Sequence, residues 1–326
     1  MAYYIAIDSG GTKTEAVVAD DSGHILHRTT GCGCNPMDVG VDAARSTLIA
    51  TIRHLQALSG VEIASLYAGI AGANHADIIP VEELRAECGI SKVRIEDDRR
   101  IVVSGTLGHV NGCGLICGTG SSLSILIDQE PVRQVGGLGY LIDTGGSGFE
   151  LGQAALKQMF RYMDGRGEYT VLYDLISKKL GKCPWESLAD IYAGGRPFIA
   201  SLACTVFEGM AMGDAVCRKI VEEGAMALSE LTHVAARHFE GEFPVVMTGG
   251  ILSSYPEYAA LVRKNAAPNA RMMMSLAPPV YGALVEAMWQ NGMEANDETR
   301  RRFMADYEAI RQSAAHGSDA RCAHPA

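Results

Sequence analysis

The segment Asp8-Ser9-Gly10-Gly11-Thr12-Lys13-Thr14 gathers a carboxylate, two glycines, hydroxyls and an amine into one short stretch. Apolar runs at Tyr3–Ile7 and Thr14–Ala19 flank it, so it reads as a hairpin turn. Glycines let such a turn aim its N–H groups outward and let an anion approach the main chain. Gly10, Gly11, Thr12, Lys13 and Thr14 are therefore candidates to hold nucleotide phosphates. Asp8, at the strand end, is a candidate to hold the water shell of a Mg2+ that bridges them. This is not a Walker A loop, which needs Gly-Lys-Ser/Thr before a helix. A plain hairpin turn is the alternative for an isolated Gly-Gly. A second turn of the same kind, Gly118-Thr119-Gly120-Ser121, favours phosphates. Thr248-Gly249-Gly250 follows the apolar run Val245–Met247. There a flat adenine or ribose can lie on backbone, or the glycines simply turn a strand into a helix.

Asp97 and Asp98 stand at the carboxyl end of the strand-like segment Val93–Glu96. Phosphoryl transfer to an alcohol needs one carboxylate to orient the hydroxyl and take its proton. Asp98 could do that, or could cap the helix expected at Ile101–Leu107. No G-x-G-x-x-G, G-x-S-x-G or H-E-x-x-H pattern occurs, and Cys32, Cys34, Cys113 and Cys117 lack the second pair a zinc site wants.

The elements that must position these residues follow from patterning. The 326 residues are 48% hydrophobic and 20% charged, which is globular composition long enough for two domains. Strands are expected at Tyr3–Ile7, Thr14–Ala19, His24–Thr29, Ile63–Ile70 and Val93–Glu96, and helices at Val41–Leu58 and Pro80–Cys88. A strand, a Gly/Thr turn, a strand, an acidic turn and a strand then recur from residue 114. That echo implies two copies of one α/β architecture, with domains at 1–110 and 111–312 and a polar tail at 313–326. The last helices could pack back on the first domain. The second half is expected to add helices at Phe149–Met163, Leu172–Lys179, Ala215–His238, Val280–Trp289 and Thr299–Gln312, and a strand at Met272–Leu276. The 37 glycines cluster beside Thr and Ser rather than in a linker.

The net charge of −10 argues against nucleic-acid partners. The start has neither a basic n-region nor an adequate apolar h-region, and no uncharged run approaches the ~18 residues of a membrane span. Nine cysteines, an odd number without a leader, suggest reduced thiols in a cytoplasm. Met210, Met212, Met226 and Met288 read as core or as a subunit contact, which leaves a homodimer open.

Together these motifs resemble the superfamily of acetate and sugar kinases, heat-shock chaperones and actin, and within it the N-acetylglucosamine kinases and BadF/BadG-type ATPases. The resemblance spans about residues 3–290. It rests on Asp8–Thr14, Asn35-Pro36, Gly69–Asn74, Glu96-Asp97-Asp98, Gly118–Ser121, Gly136-Gly137-Leu138-Gly139, Thr248–Gly250 and Pro278–Ala283, in that order. It implies an α/β fold of two ribonuclease-H-like (actin-like ATPase) domains, mixed sheets flanked by helices with a cleft between. ATP and Mg2+ would lie across the cleft and an amino sugar deeper, mostly under the first domain. Carried over, Asp98 would be the general base. Asn35, Asn74, Thr119, Gly137, Asp143 and Thr144 would meet the sugar or its N-acyl arm. Gly10–Thr14, Gly118, Gly120 and Ser121 would hold phosphates, Gly249 and Gly250 the adenosine, and Asp8 the metal.

Two departures bear on which sugar is taken. The kinases usually read Gly-Asp-Glu-Gly-Ser where this chain has Asp143-Thr144-Gly145-Gly146-Ser147, and Leu138 stands where many members carry Trp. Two other readings remain: an ATPase activator of a 2-hydroxyacyl-CoA dehydratase, which would bridge an iron–sulfur cluster by cysteines such as Cys113 and Cys117, and a non-catalytic sugar or nucleotide sensor.

Overall fold

The computed structural model describes residues 1–11, 13–73, 81–128, 130–143 and 145–316. Contacts divide the chain into two compact units, Met1–Val110 with the chain from Ser275 onward, and Asn111–Met274.

The first unit opens with an antiparallel meander, β1 (Tyr3–Ser9), β2 (Thr14–Asp20) and β3 (Ile25–Gly31). The short helix α1 (Pro36–Val39) and the long α2 (Val41–Ser59) lead to β4 (Ile63–Ile70), which pairs parallel with β1. Helix α3 (Val81–Cys88) then leads to β5 (Val93–Glu96), parallel to β4, and α4 (Arg99–Leu107) follows. The sheet order is β3-β2-β1-β4-β5. Alternation along β1 sorts its side chains onto two cores. Ile5 and Ile7 pack with Leu48, Ile52 and Leu55 of α2, while Tyr4 and Ala6 join Ile101 of α4 on the other face.

Register brings the chemistry to one line. Asp8 lies opposite Glu15 on β2 and Gly69 on β4, and Gly69 lies opposite Glu96 on β5. Glu15, Asp8, Gly69 and Glu96 thus form one rung across the sheet beside the β1–β2 turn. Gly69 must be small there, since a Cβ would stand 2.5 Å from Ile101 Cδ1.

The second unit repeats the pattern. Strands β6 (Gly112–Cys117), β7 (Ser121–Ile127) and β8 (Glu130–Gly136) form the meander. Helices α5 (Gly148–Met163), α6 (Leu172–Leu180), α7 (Leu188–Ser201), α8 (Ala203–Ala211) and α9 (Ala215–Ala235) follow. Then come β9 (Phe243–Thr248), parallel to β6, α10 (Gly250–Ser254), α11 (Pro256–Asn265) and β10 (Ala270–Met274). The order β10-β9-β6-β7-β8 has the topology of the first sheet. Helices α12 (Pro279–Gln290) and α13 (Asp297–His316) belong to the first unit, where Val280, Tyr281, Leu284, Met288 and Phe303 pack on the Tyr4–Ala6 face.

The expected elements recur with a few differences. Helices α7, α8 and α11 were not anticipated, because Gly194-Gly195 and Pro197 break the periodicity of the first and Pro256 opens the last. Gly195 is bent out of the helix at φ 54, ψ −150. Strand β10 ends at Met274 rather than Leu276, since Ser275 turns its hydroxyl onto Ala277 O at 2.7 Å. The last three residues of the expected Ala215–His238 helix tighten into a 3-10 turn. Helix α13 continues to His316, into the expected tail, whose residues 317–326 lie outside the described ones, as does Pro80. Met288 is core, whereas Met212 and Met226 are exposed. Among the described residues no helix is long and apolar enough to cross a membrane.

Helix α12 crosses α4 at Gly282, where a Cβ would overlap the carbonyl of Ile101. Gly282→Ala is expected to cost about 1–3 kcal/mol of overpacking, outweighing the roughly 1 kcal/mol that alanine gains in helix propensity. Gly31→Ala, with open space at its Cβ, should stay within about 0.5 kcal/mol. Denaturant unfolding of both variants checks the crossing, and a neutral Gly282→Ala would contradict it.

Candidate functional site

In the first unit the expected phosphate segment is the β1–β2 turn, closed by Gly10 N donating to Lys13 O at 2.9 Å. Gly10 has open space where a Cβ would be, and Gly33 lies directly on the backbone of Gly10 and Gly11. Gly11 faces the Asp38 carboxylate. Thr14 is buried, and its hydroxyl bonds Cys32 O at 2.7 Å and the Ser9 hydroxyl at 2.6 Å. It therefore faces inward instead of toward a ligand. Lys13 Nζ rests on Glu15 at 2.7 Å. Asn35 caps α1, its Oδ1 accepting from Met37 N at 2.9 Å. Gly72 approaches that side chain so closely that a Cβ would stand 2.6 Å from Asn35 Oδ1. Thr12, Asn74 and Thr144 lie outside the described residues.

The acids along the rung fall into two kinds. Burial pushes the Glu15 carboxyl up, but Lys13, Tyr307 and Arg28 together hold it below the usual range, with Arg28 Nε at 2.7 Å. Glu96 is likewise raised by burial, then brought below its ordinary value by Tyr67, Arg100 and Arg94. Tyr67 Oη donates to it at 2.6 Å and Arg100 Nε at 2.9 Å. Asp97 is paired with Arg99. Asp8 and Asp98 have no ion-pair partner among the described residues. Burial, then the charge of Glu15, raises Asp8 to about 7. Burial, then Asp97 and Asp8, raises Asp98 to about 8. An unpaired carboxylate in a half-buried site favours its neutral form, and like charges add to that. Asp98 occupies the N-cap position of α4, yet its backbone is helical (φ −65, ψ −5) and its side chain makes no capping bond. Asp97 accepts from Arg99 N instead, at 3.3 Å. The carboxylate of Asp98 is thus not used as a helix cap.

In the second unit three glycine clusters converge. Gly118 N donates to Gly120 O at 2.8 Å, and the first amides of α5 anchor the turn, Gly148 N to Gly118 O at 2.8 Å and Phe149 N to Thr119 O at 3.1 Å. Gly249, at φ 107, lies on the backbone of Cys117, the residue before the turn, while Gly250 has open space. A cavity of about 440 Å³, mouth included, is lined by Thr119, Gly120, Ser121, Gly137, Gly139 and Asp143, together with Tyr140, Ser147, Phe149, Glu150 and Arg196. Gly137, at φ 74, packs on Ser122 and Gln134, and Asp143 Oδ2 accepts from Leu138 N at 3.0 Å, stapling the loop.

The two sequence departures acquire a physical account. A Cβ at Gly145 would stand 2.5 Å from Ser121 Oγ, so the glycine lets that segment lie against the turn. The carboxylate at this point comes from Glu150, which accepts from Gly145 N at 2.7 Å and Ser147 N at 3.0 Å. Leu138 is exposed, and the aromatic wall is Tyr140, edge-on to Phe149 at 5.0 Å. Glu150 was legible in principle as the Ser147-x-x-Glu150 capping signature before an apolar run. Arg196 had no signal beyond the Gly-Gly-Arg-Pro interruption.

A family model described as the BadF/BadG/BcrA/BcrD ATPase family matches residues 5–287. The chain belongs to this family. It is similar to the N-acetyl-D-glucosamine kinase of Dictyostelium discoideum, 28% identical over 311 residues, 87% of this chain and 97% of that one. It is also similar to the N-acetylmuramic acid/N-acetylglucosamine kinase of Clostridium acetobutylicum, 26% identical over 302 residues, 88% of this chain and 98% of that one. A solved structure of a candidate N-acetylglucosamine kinase from Chromobacterium violaceum shares the fold at TM-score 0.67 and 22% identity, covering 87% of this chain and 98% of that one. Membership in the BadF/BadG/BcrA/BcrD family makes this chain an ATPase-fold protein of two mixed sheets, as the topology shows independently.

In this BadF/BadG/BcrA/BcrD member the raised Asp98 has a stability consequence. Its folded pKa exceeds its unfolded one, so the folded state binds the extra proton and stability falls as pH rises from the ordinary carboxylate range to about 8. Asp98→Asn removes that penalty. In metal- and nucleotide-free buffer at pH 8.5 (about half a unit above the folded pKa), its Tm should exceed wild type by roughly 2–4 °C per kcal/mol relieved. The gap should shrink toward acid pH, and an equal or lower Tm at the higher pH would refute the placement of Asp98.

Proposed function

We propose that the protein is an ATP-dependent kinase that transfers the γ-phosphoryl group to a hydroxyl of an N-acetylated amino sugar. The observation that carries this reading is Asp98, half-buried at a strand end, released from capping and held at a raised pKa beside Asp8. A base whose pKa lies near the working pH both accepts a proton readily and returns it. Asp98 orients the sugar hydroxyl and takes its proton as the oxygen attacks. The amide nitrogen of Asn35, which has no partner among the described residues, and the Thr119 hydroxyl at the cavity position the sugar. Gly137 and Asp143 shape the loop that lines the cavity beside Tyr140. Backbone at Gly10, Gly11, Gly118 and Gly120, with Ser121, receives phosphates, and the strand-to-helix turn at Gly249 and Gly250 the adenosine. Since Thr14 is buried and Lys13 is paired with Glu15, backbone carries more of the phosphate binding than the residue types suggest.

Asp8 and Asp98, two carboxylates without an ion pair among the described residues, suit a hard divalent ion. Mg2+ needs only one or two protein carboxylates, with waters and phosphate oxygens completing its shell. When bound, it neutralises charge on the phosphates. Asp8 would hold its water shell.

The kinase names of the two curated relatives support the amino-sugar substrate. Cys113 and Cys117 are fully buried, and burial pushes both thiols up to about 12. Such thiols are poor candidates for bridging a cluster at a subunit surface, which weighs against the dehydratase-activator reading. The described cysteines are all free, which fits a cytoplasmic enzyme.

A coupled ADP-release screen over glucose, glucosamine, N-acetylglucosamine, N-acetylmuramate and N-acetylmannosamine should show stimulation greatest with an N-acetylated sugar. Asp98→Asn should lower kcat by about 10²–10⁴ while nucleotide binding persists. ADP release indifferent to every sugar would reject the reading, and full activity in Asp98→Asn would reject the base.

A further inference from the structure

Arg196 is the only cationic side chain among the described residues lining this cavity of the second unit. It is held there by backbone chemistry. Gly195 takes φ 54, ψ −150, a conformation other residues adopt at a cost, and interrupts α7. Pro197 follows within α7, and Gly195 is the residue that departs from helical geometry there. The guanidinium lies over the Tyr140 ring at 5.5 Å, and Tyr140 is braced edge-on by Phe149. Its Nη2 lies against the second phosphate turn, so close that a Cβ on Gly120 would stand 2.6 Å from it. Gly120 is thus the residue that admits the guanidinium to the turn.

No acid among the described residues pairs with it. Arg196 has no ion pair among the described residues, and its Nε is shielded from solvent without a hydrogen-bond partner. The cavity's carboxylates are occupied elsewhere, Asp143 on Leu138 N and Glu150 on Gly145 N and Ser147 N. A shielded cationic donor left unsatisfied is destabilising, and an incoming oxyanion would satisfy it. A planar guanidinium suits two oxygens of one phosphoryl group.

The geometry points to Arg196 as a ligand of the β- or γ-phosphate of a nucleotide seated at Gly118–Ser121. This rests on the kinase reading and adds to it a charged phosphate contact from a helix interruption outside the glycine motifs. A carboxylate on an acidic sugar is the competing source of an oxyanion, but the guanidinium contacts the phosphate turn itself.

Binding of adenosine, AMP, ADP and a non-hydrolysable ATP analogue, each with Mg2+, is measured by calorimetry on wild type, Arg196→Gln and Arg196→Lys. Arg196→Gln should weaken ADP and the ATP analogue at least tenfold, with AMP and adenosine changing less than twofold. Arg196→Lys should recover part of the loss, and thermal melts without nucleotide should show both variants folded. In turnover, the rise in KM for ATP should be the same with N-acetylglucosamine as with N-acetylmuramate. Unchanged ADP and analogue affinities in Arg196→Gln, equal losses for adenosine, or a defect confined to N-acetylmuramate would overturn the assignment. A wild-type protein that binds none of the nucleotides would instead overturn the kinase reading beneath it.

Discussion

Uncompensated negative charge at the carboxyl end of the first sheet is the constraint around which that unit is arranged. The parallel and antiparallel registers bring Glu15, Asp8 and Glu96 onto one rung, with Asp97 and Asp98 following. So many acids in one place would repel unless cations answered them. Arg28 and Lys13 answer Glu15, Arg94 and Arg100 answer Glu96, and Arg99 answers Asp97. The compensation stops short of Asp8 and Asp98. Their charged forms are disfavoured in the folded chain, a stability cost that the proposed kinase reading would put to use as a base and a cation site.

The second unit solves a different problem with the same topology. Its turn is built by close backbone approach. Gly148 lets α5 reach Gly118, Gly249 lies on Cys117, and Gly145 leaves room for Ser121. Any side chain at these positions would push the turn away from the helix amides that anchor it. The glycines of the two units are thus not equivalent. Gly10 and Gly250 leave space open, while Gly145 and Gly249 are small because something already occupies the space. At Gly10 and Gly250 a ligand can approach on the Cβ side without rearrangement.

Much of the architecture was legible because its signals are local. Apolar runs at Tyr3–Ile7 and Ile63–Ile70, helical spacing at Val41–Leu58, and the echo at residue 114 depend on residues near one another in sequence. Helix α7 escaped because Gly195 and Pro197 interrupt the periodicity while packing on α5 retains the helix. The roles of Lys13 and Thr14 were misleading for a related reason. Residue type reveals what a side chain can bond, but strand pairing decides what it meets: Ser9 faces Thr14 across β1 and β2, Cys32 reaches Thr14 after β3, and Glu15 holds Lys13 from two residues on.

The sequence by itself determined the repeated α/β units, the two glycine turns and the strand-end acids, since each is a short-range pattern. Only the tertiary structure decided which acids are neutralised. It released Asp98 from capping, drew Glu150 to the place expected of another carboxylate, and set Arg196 against Gly120. Those outcomes depend on strand register, burial and the meeting of residues far apart along the chain, and electrostatic energies follow distance and solvent exposure rather than residue order.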